Sequence, residues 1–155
     1  MLKRYLAFVT AIVIIAACSK GKLETKPFIE IKNVNATALP DDQDFLITIN
    51  FKDKEGDLGT GQLTYIRNRL NTSSVINDLA DTVLYQIPDF PKAQQGEFQL
   101  RINAGFLNER PRGTVDSSDL NKNNDTVSFK IFVKDLGGNV SDTIATPPLV
   151  QIDNP

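Results

Sequence analysis

The sequence predicts an all-β protein, an antiparallel sandwich of about seven short strands. Three observations predict it. Apolar and polar residues alternate with a period of two through most of the chain after residue 27. The alternating runs are short and bounded by clusters of Gly, Asn, Asp and Pro. No window of a dozen residues carries a convincing apolar stripe at i, i+3, i+4 and i+7, the pattern an amphipathic helix needs, and the nearest is Ser73 to Ala80.

The elements follow in order. Residues 1–17 read as a leader. Lys3 and Arg4 form a short basic start, and Tyr5 to Ala17 is an apolar run interrupted only by Thr10. That run is too short for a membrane-spanning helix, which needs about 20 apolar residues, and it has the length and flanks of a secretory signal. It ends in Ile15-Ala16-Ala17-Cys18, small residues followed by the only cysteine of the chain. Residues 18–27 are polar, lack hydrophobic periodicity and end at Pro27, which reads as a tether able to reach about 30 Å when extended.

Residues 28–155 form the domain. Ile29 and Ile31 flank Glu30. Phe45, Ile47, Ile49 and Phe51 alternate with Leu46, Thr48 and Asn50. Leu63 and Tyr65 mark a further strand, as do Val83, Tyr85 and Ile87. Phe98, Leu100 and Ile102, and then Val127, Phe129, Ile131 and Val133, complete the strong patterns. A last strand runs from Val140 to Ile144 and continues irregularly past Pro147-Pro148 to Ile152. Each run predicts one core-facing side. Val75, Ile76 and Leu79 predict one or two helical turns within Ser73 to Ala80. Ala104 to Asn124 is a 21-residue connection rich in Asn and Asp, read as a solvated loop or a functional one.

Composition removes most chemistry. The chain has no His and no Trp, which excludes Ser-His-Asp and Cys-His catalysis and His-ligated zinc or haem. No phosphate-cradling glycine loop and no dinucleotide fingerprint is present. Without the leader's Lys3 and Arg4 the remainder has 15 basic and 19 acidic residues, a net charge of −4, which argues against nucleic-acid binding. Arg67, Arg69, Arg110 and Arg112 read as solvated charges. Two carboxylates suffice for a glycosidase, so a hydrolase stays chemically open but is the weakest reading. Tyr65 and Tyr85 read as core, while Phe90 and Phe106 fall in predicted loops where an aromatic could meet a sugar.

Two segments carry the ligand chemistry. Asp53-Lys54-Glu55-Gly56-Asp57-Leu58-Gly59 places three carboxylates at alternate positions, with Gly56 and Gly59 free to take positive φ. Oxygen ligands spaced this way can converge on one hard cation such as Ca²⁺. It is not an EF-hand, because the sixth and twelfth positions are Leu58 and Thr64. Asp135-Leu136-Gly137-Gly138-Asn139-Val140-Ser141-Asp142 reads as a hairpin capped by its own Asp and Asn side chains. In a seven-strand sandwich these two connections lie at the same end, which brings Asp53, Glu55 and Asp57 near Asp135. The competing reading of the first segment is a tight turn whose carboxylates bond its own backbone.

The Ile15-Ala16-Ala17-Cys18 segment resembles the lipobox of bacterial lipoprotein precursors. The resemblance implies that Cys18 receives a diacylglyceryl thioether, becomes the new N-terminus and is N-acylated. The turn (Asp53, Glu55, Gly56, Asp57, Gly59) and the hairpin (Asp135, Gly138, Asn139, Ser141) together resemble small bacterial lipoproteins with an immunoglobulin-like or cadherin-like sandwich, over roughly residues 28–152. This implies an immunoglobulin-like fold; the anchor, the tether and the scarcity of catalytic side chains together point to a lipid-anchored cell-envelope protein whose domain is a binding or structural module, not an enzyme. Its partners are the membrane through the anchor, and an envelope protein or glycan. Two lysines precede the first glutamate of the tether, which favours the periplasmic face of the outer membrane over surface display. The alternative is a Ca²⁺-binding or small-ligand module using the Asp53–Asp57 turn.

Overall fold

The computed structural model describes residues 25–40, 42–70, 82–108 and 125–152. The leader, Cys18, the predicted turns at 73–80, Arg110, Arg112 and most of the 104–124 connection lie outside the described residues.

The described chain is all-β, with nine strands and one short helix: β1 (Phe28–Val34), β2 (Ala38–Pro40), β3 (Phe45–Lys52), β4 (Gln62–Arg69), β5 (Thr82–Gln86), β6 (Gln95–Ile102), α1 (Ala104–Asn108), β7 (Asp125–Lys134), β8 (Ile144–Ala145) and β9 (Leu149–Ile152). They form two sheets. One has the order β1-β3-β6; the other runs β2-β9-β7-β4-β5, with β8 on the flank of β7.

Period-two alternation builds the core as expected. Along β3, Phe45, Ile47, Ile49 and Phe51 are buried and the residues between them are not. They face Phe129, Ile131 and Val133 of β7, all fully buried, across the two sheets. The Phe45 and Phe129 rings meet at 5.8 Å, and Phe129 also meets the edge of Tyr65. Burial of the apolar side chains on these inner faces, at about 25 cal/mol per Å², holds the sheets together.

Four expectations need correction. The sandwich is not purely antiparallel, because β2 pairs in parallel with β9. The chain leaves the first sheet after β1 at a corner that Asn35 fixes by bonding the carbonyl of Asp44 and the amide of Leu46, and then adds three residues to the second sheet. The last predicted strand is broken in two. Pro147 and Pro148 have no N–H to give a ladder, so β8 ends before them and β9 begins after them. Thr146 bridges the gap, its hydroxyl accepting from the Phe129 amide at 3.0 Å. β5 is an edge strand, and Tyr85 is 42% exposed although one face of its ring stacks on Tyr65. Arg67 is not a solvated charge. It is buried, donates to the carbonyls of Phe106 and Leu107, and lies over the Phe106 ring at 4.7 Å. It therefore clamps α1 onto β4, while Asn103 caps the start of α1 by accepting from the Phe106 amide.

Strand direction sorts the connections into two poles. The 53–61 turn and the 135–142 hairpin lie at one pole, where Gln62 pairs with Lys134. The segments joining β1 to β3, β4 to β5, and β6 to β7 attach at the other, where Phe45 pairs with Ile102 and Arg69 with Val127.

Candidate carboxylate site

The 53–61 turn is pulled into place by one apolar residue. Leu58 is fully buried, and its carbonyl accepts from the Gly61 amide at 3.0 Å. Gly56 takes φ of +67° and reverses the chain between Glu55 and Asp57. Gly59 is not in the left-handed region; Thr60 is, at +62°. Gly61 matters for space instead. A Cβ there would sit 2.4 Å from the carbonyl oxygen of Lys134, so only glycine lets the turn lie against the end of β7.

The hairpin forms as its sequence dictates. Asp135 Oδ1 accepts from the Asn139 amide at 2.7 Å, and Oδ2 from Asn139 Nδ2 at 2.9 Å. Gly138 supplies the positive φ, +90°. Ser141 accepts from the Val133 amide through its hydroxyl.

The two segments are stitched together through Asp57. Its carbonyl accepts from the Leu136 amide at 3.3 Å, and its Oδ2 from the Gly137 amide at 3.1 Å. As a result Asp53, Asp57 and Asp135 converge, with one carboxylate oxygen of each within 4.8 Å of the others. The juxtaposition expected from the topology is therefore present for three of the four residues. Glu55 is the exception: its amide donates to Asp53 Oδ1 at 3.3 Å, while its side chain stays exposed outside the cluster.

The electrostatics are unfavourable for three ionised groups. Asp53 is 1% exposed. Burial pushes its carboxyl above the ordinary value, against the amides of Asp57 and Glu55, which hold it down; the neighbouring Asp57 carboxylate raises it further. Asp57 Oδ1 is buried and accepts no hydrogen bond among the described residues. A buried acceptor without a donor costs about 1–3 kcal/mol. Three oxygens this close can surround one cation at 2.3–2.6 Å, with backbone carbonyls or water completing six to eight ligands. The arrangement can also hold a proton between Asp53 and Asp57. The same carboxylates cap the turns and converge.

The chain enters the domain at this pole. Pro27 is buried, Thr25 Oγ1 donates to Asn139 Oδ1 at 3.3 Å, and Lys26 pairs with Asp142. Nothing in the hydrophobic pattern signalled this docking. The aromatic candidates for sugar contact are not free platforms. Phe90 packs on Phe51 at 5.7 Å, and Phe106 lies between Tyr65 and Arg67.

No protein-family model matches the chain, and no curated protein does. Solved structures with some likeness include OgpA from Akkermansia muciniphila (17% identity, TM-score 0.43), which covers 79% of this chain and 28% of that one. Spo0M, a sporulation control protein from Bacillus subtilis, has 12% identity and a TM-score of 0.41, covering 81% and 49%. A β-glucosidase from Listeria innocua has 10% identity and a TM-score of 0.40, covering 84% and 16%. The chain thus spans less than half the length of each.

Proposed function

We propose that the chain is a lipid-anchored protein of the cell envelope, held by Cys18 on the periplasmic face of the outer membrane, with a β-sandwich that binds a partner or builds a structure and does no chemistry of its own. The observation that carries this reading is the docking of residues 25–27 against the 135–142 hairpin. A tether from Cys18 thereby reaches the domain at one defined pole and leaves the opposite pole facing away from the anchor. The sheet order supports an immunoglobulin-like fold: β1, β3 and β6 stand where strands A, B and E belong, and β4, β7 and β9 where C, F and G belong. The partner is an envelope protein or glycan. The test is to label cells with an alkyne fatty acid and to place a photo-cross-linking residue at Gln43, far from the anchor, or at Glu55, near it. The reading expects label that Cys18→Ala removes, and one defined adduct from Gln43. No label, or adducts equally from both positions, would sink it.

A second reading is favoured by Asp57 Oδ1, a buried oxygen without a donor among the described residues. In it, the carboxylate pole holds one Ca²⁺ ion that fastens the turn to the hairpin. Melting curves in Ca²⁺ and in chelator test it. The reading requires a higher melting temperature with Ca²⁺, removed by Asp57→Asn; superimposable curves would refute it.

A further inference from the structure

The last rung of the three-stranded sheet at the tethered pole is Phe28–Lys52–Gln95, aligned across β1, β3 and β6. Phe28 is 51% exposed, and its neighbour Lys52 lies over its ring at 6.0 Å. Lys26, which is paired with Asp142, and Lys54 stand beside them, lining a shallow cleft with Gln94, Gln95 and the buried Asp53. An exposed aromatic among lysines is the arrangement that suits a bilayer surface, with the ring at the level of the headgroups and the ammonium groups on lipid phosphates. Only six residues lie between Cys18 and Thr25, a reach of about 25 Å at full extension. A lipid on Cys18 therefore holds this rung close to the membrane throughout, and Lys20 and Lys22 add positive charge along the way.

From the length of that tether and the charge of the rung, we infer that Phe28, Lys52 and Lys54 dock the domain onto the anionic phospholipid surface to which it is anchored. The inference rests on the anchor at Cys18. Docking fixes the orientation of the sandwich, with the carboxylate pole down and the opposite pole outward. Tethering supplies the local concentration, so a few charges suffice where they would not hold a free protein.

The chain has no tryptophan, so Phe28→Trp gives a single fluorescent reporter in the full acylated protein. The protein is reconstituted into phosphatidylglycerol-rich vesicles, into pure phosphatidylcholine vesicles and into detergent. Gln43→Trp, at the opposite pole, serves as the counter-reporter. We expect blue-shifted emission and quenching by headgroup-proximal bromolipid for F28W in phosphatidylglycerol only, and none for Q43W. Adding Lys52→Gln and Lys54→Gln should lower the docked fraction relative to undocked by about 25-fold, fivefold per lysine, and high salt should act the same way. F28W emission that is identical in all three settings, in protein that floats with the vesicles and shows the acyl mass on Cys18, overturns the docking alone. Protein that lacks the acyl mass overturns the anchor and the docking with it.

Discussion

Asp44 and Asp53 bracket the same strand, one residue before Phe45 and one after Lys52, and the two poles treat them in opposite ways. Asp44 accepts from the Ala104 amide at 2.9 Å and pairs with Arg101. Its carboxyl is held below the ordinary value of 3.8, first by that amide and then by the guanidinium. Asp53 also accepts two amides, but it is buried beside Asp57 and Asp135, and its carboxyl is raised. Asp44 at the far pole is thus closed by an opposite charge, whereas the pole where the chain enters the domain brings three carboxylates together. A fold tolerates like charges where a cation or proton completes them.

Breaking the tethered pole should show the largest effect. Leu58 is the apolar pin of the turn, and Leu58→Ala should cost about 3 kcal/mol by chemical denaturation, in the usual range for emptying a buried site. A loss under about 1 kcal/mol would mean the polar stitches hold the turn alone. At the far pole the pin is Arg67, and Arg67→Met should cost about 2 kcal/mol, because the carbonyls of Phe106 and Leu107 lose a charged donor. Near-wild-type stability would show that α1 is held by its apolar contacts.

Those two residues also show where the sequence was legible. Alternation in β3 and β7 located the core, because burial on one face imposes period two. The carboxylate convergence was legible because sandwich topology places the two connections together, and the distances follow from Gly56, Gly61 and Leu58. Arg67 was not legible. It sits at a core-facing position of β4, but nothing in a β-strand pattern says that an α-helix further along the chain will offer it carbonyls. β2 was hidden because three residues carry no periodicity. Phe28 and Lys52 are unremarkable in sequence and acquire a meaning only through the register that aligns them, with Lys54 beside them in the cleft.

A smaller effect sharpens the comparison. Ca²⁺ at ten times its dissociation constant should stabilise the protein by about 1.4 kcal/mol. Asp44→Ala should leave that gain intact and Asp57→Asn should abolish it; differential scanning calorimetry reads both. The smallest effect is in pH. Asp44 lends stability above its unfolded pKa, and this is lost as pH falls through its lowered folded value. Asp53 acts in the reverse sense in chelator: the stability lent by its protonated form is lost as pH rises through its raised folded value. Melting temperature followed against pH should therefore show the deficit of Asp44→Ala at neutral pH shrinking in acid. A deficit that is constant with pH would assign Asp44 a purely uncharged role.

The poles become membrane-near and membrane-far ends only through Cys18. The intact mass of the native protein extracted from its membrane tests this most directly. The expected mass is that of a chain beginning at Cys18 and carrying diacylglyceryl and N-acyl groups. A chain with a free Cys18 thiol, or one that retains residues 1–17 without acyl groups, would contradict it.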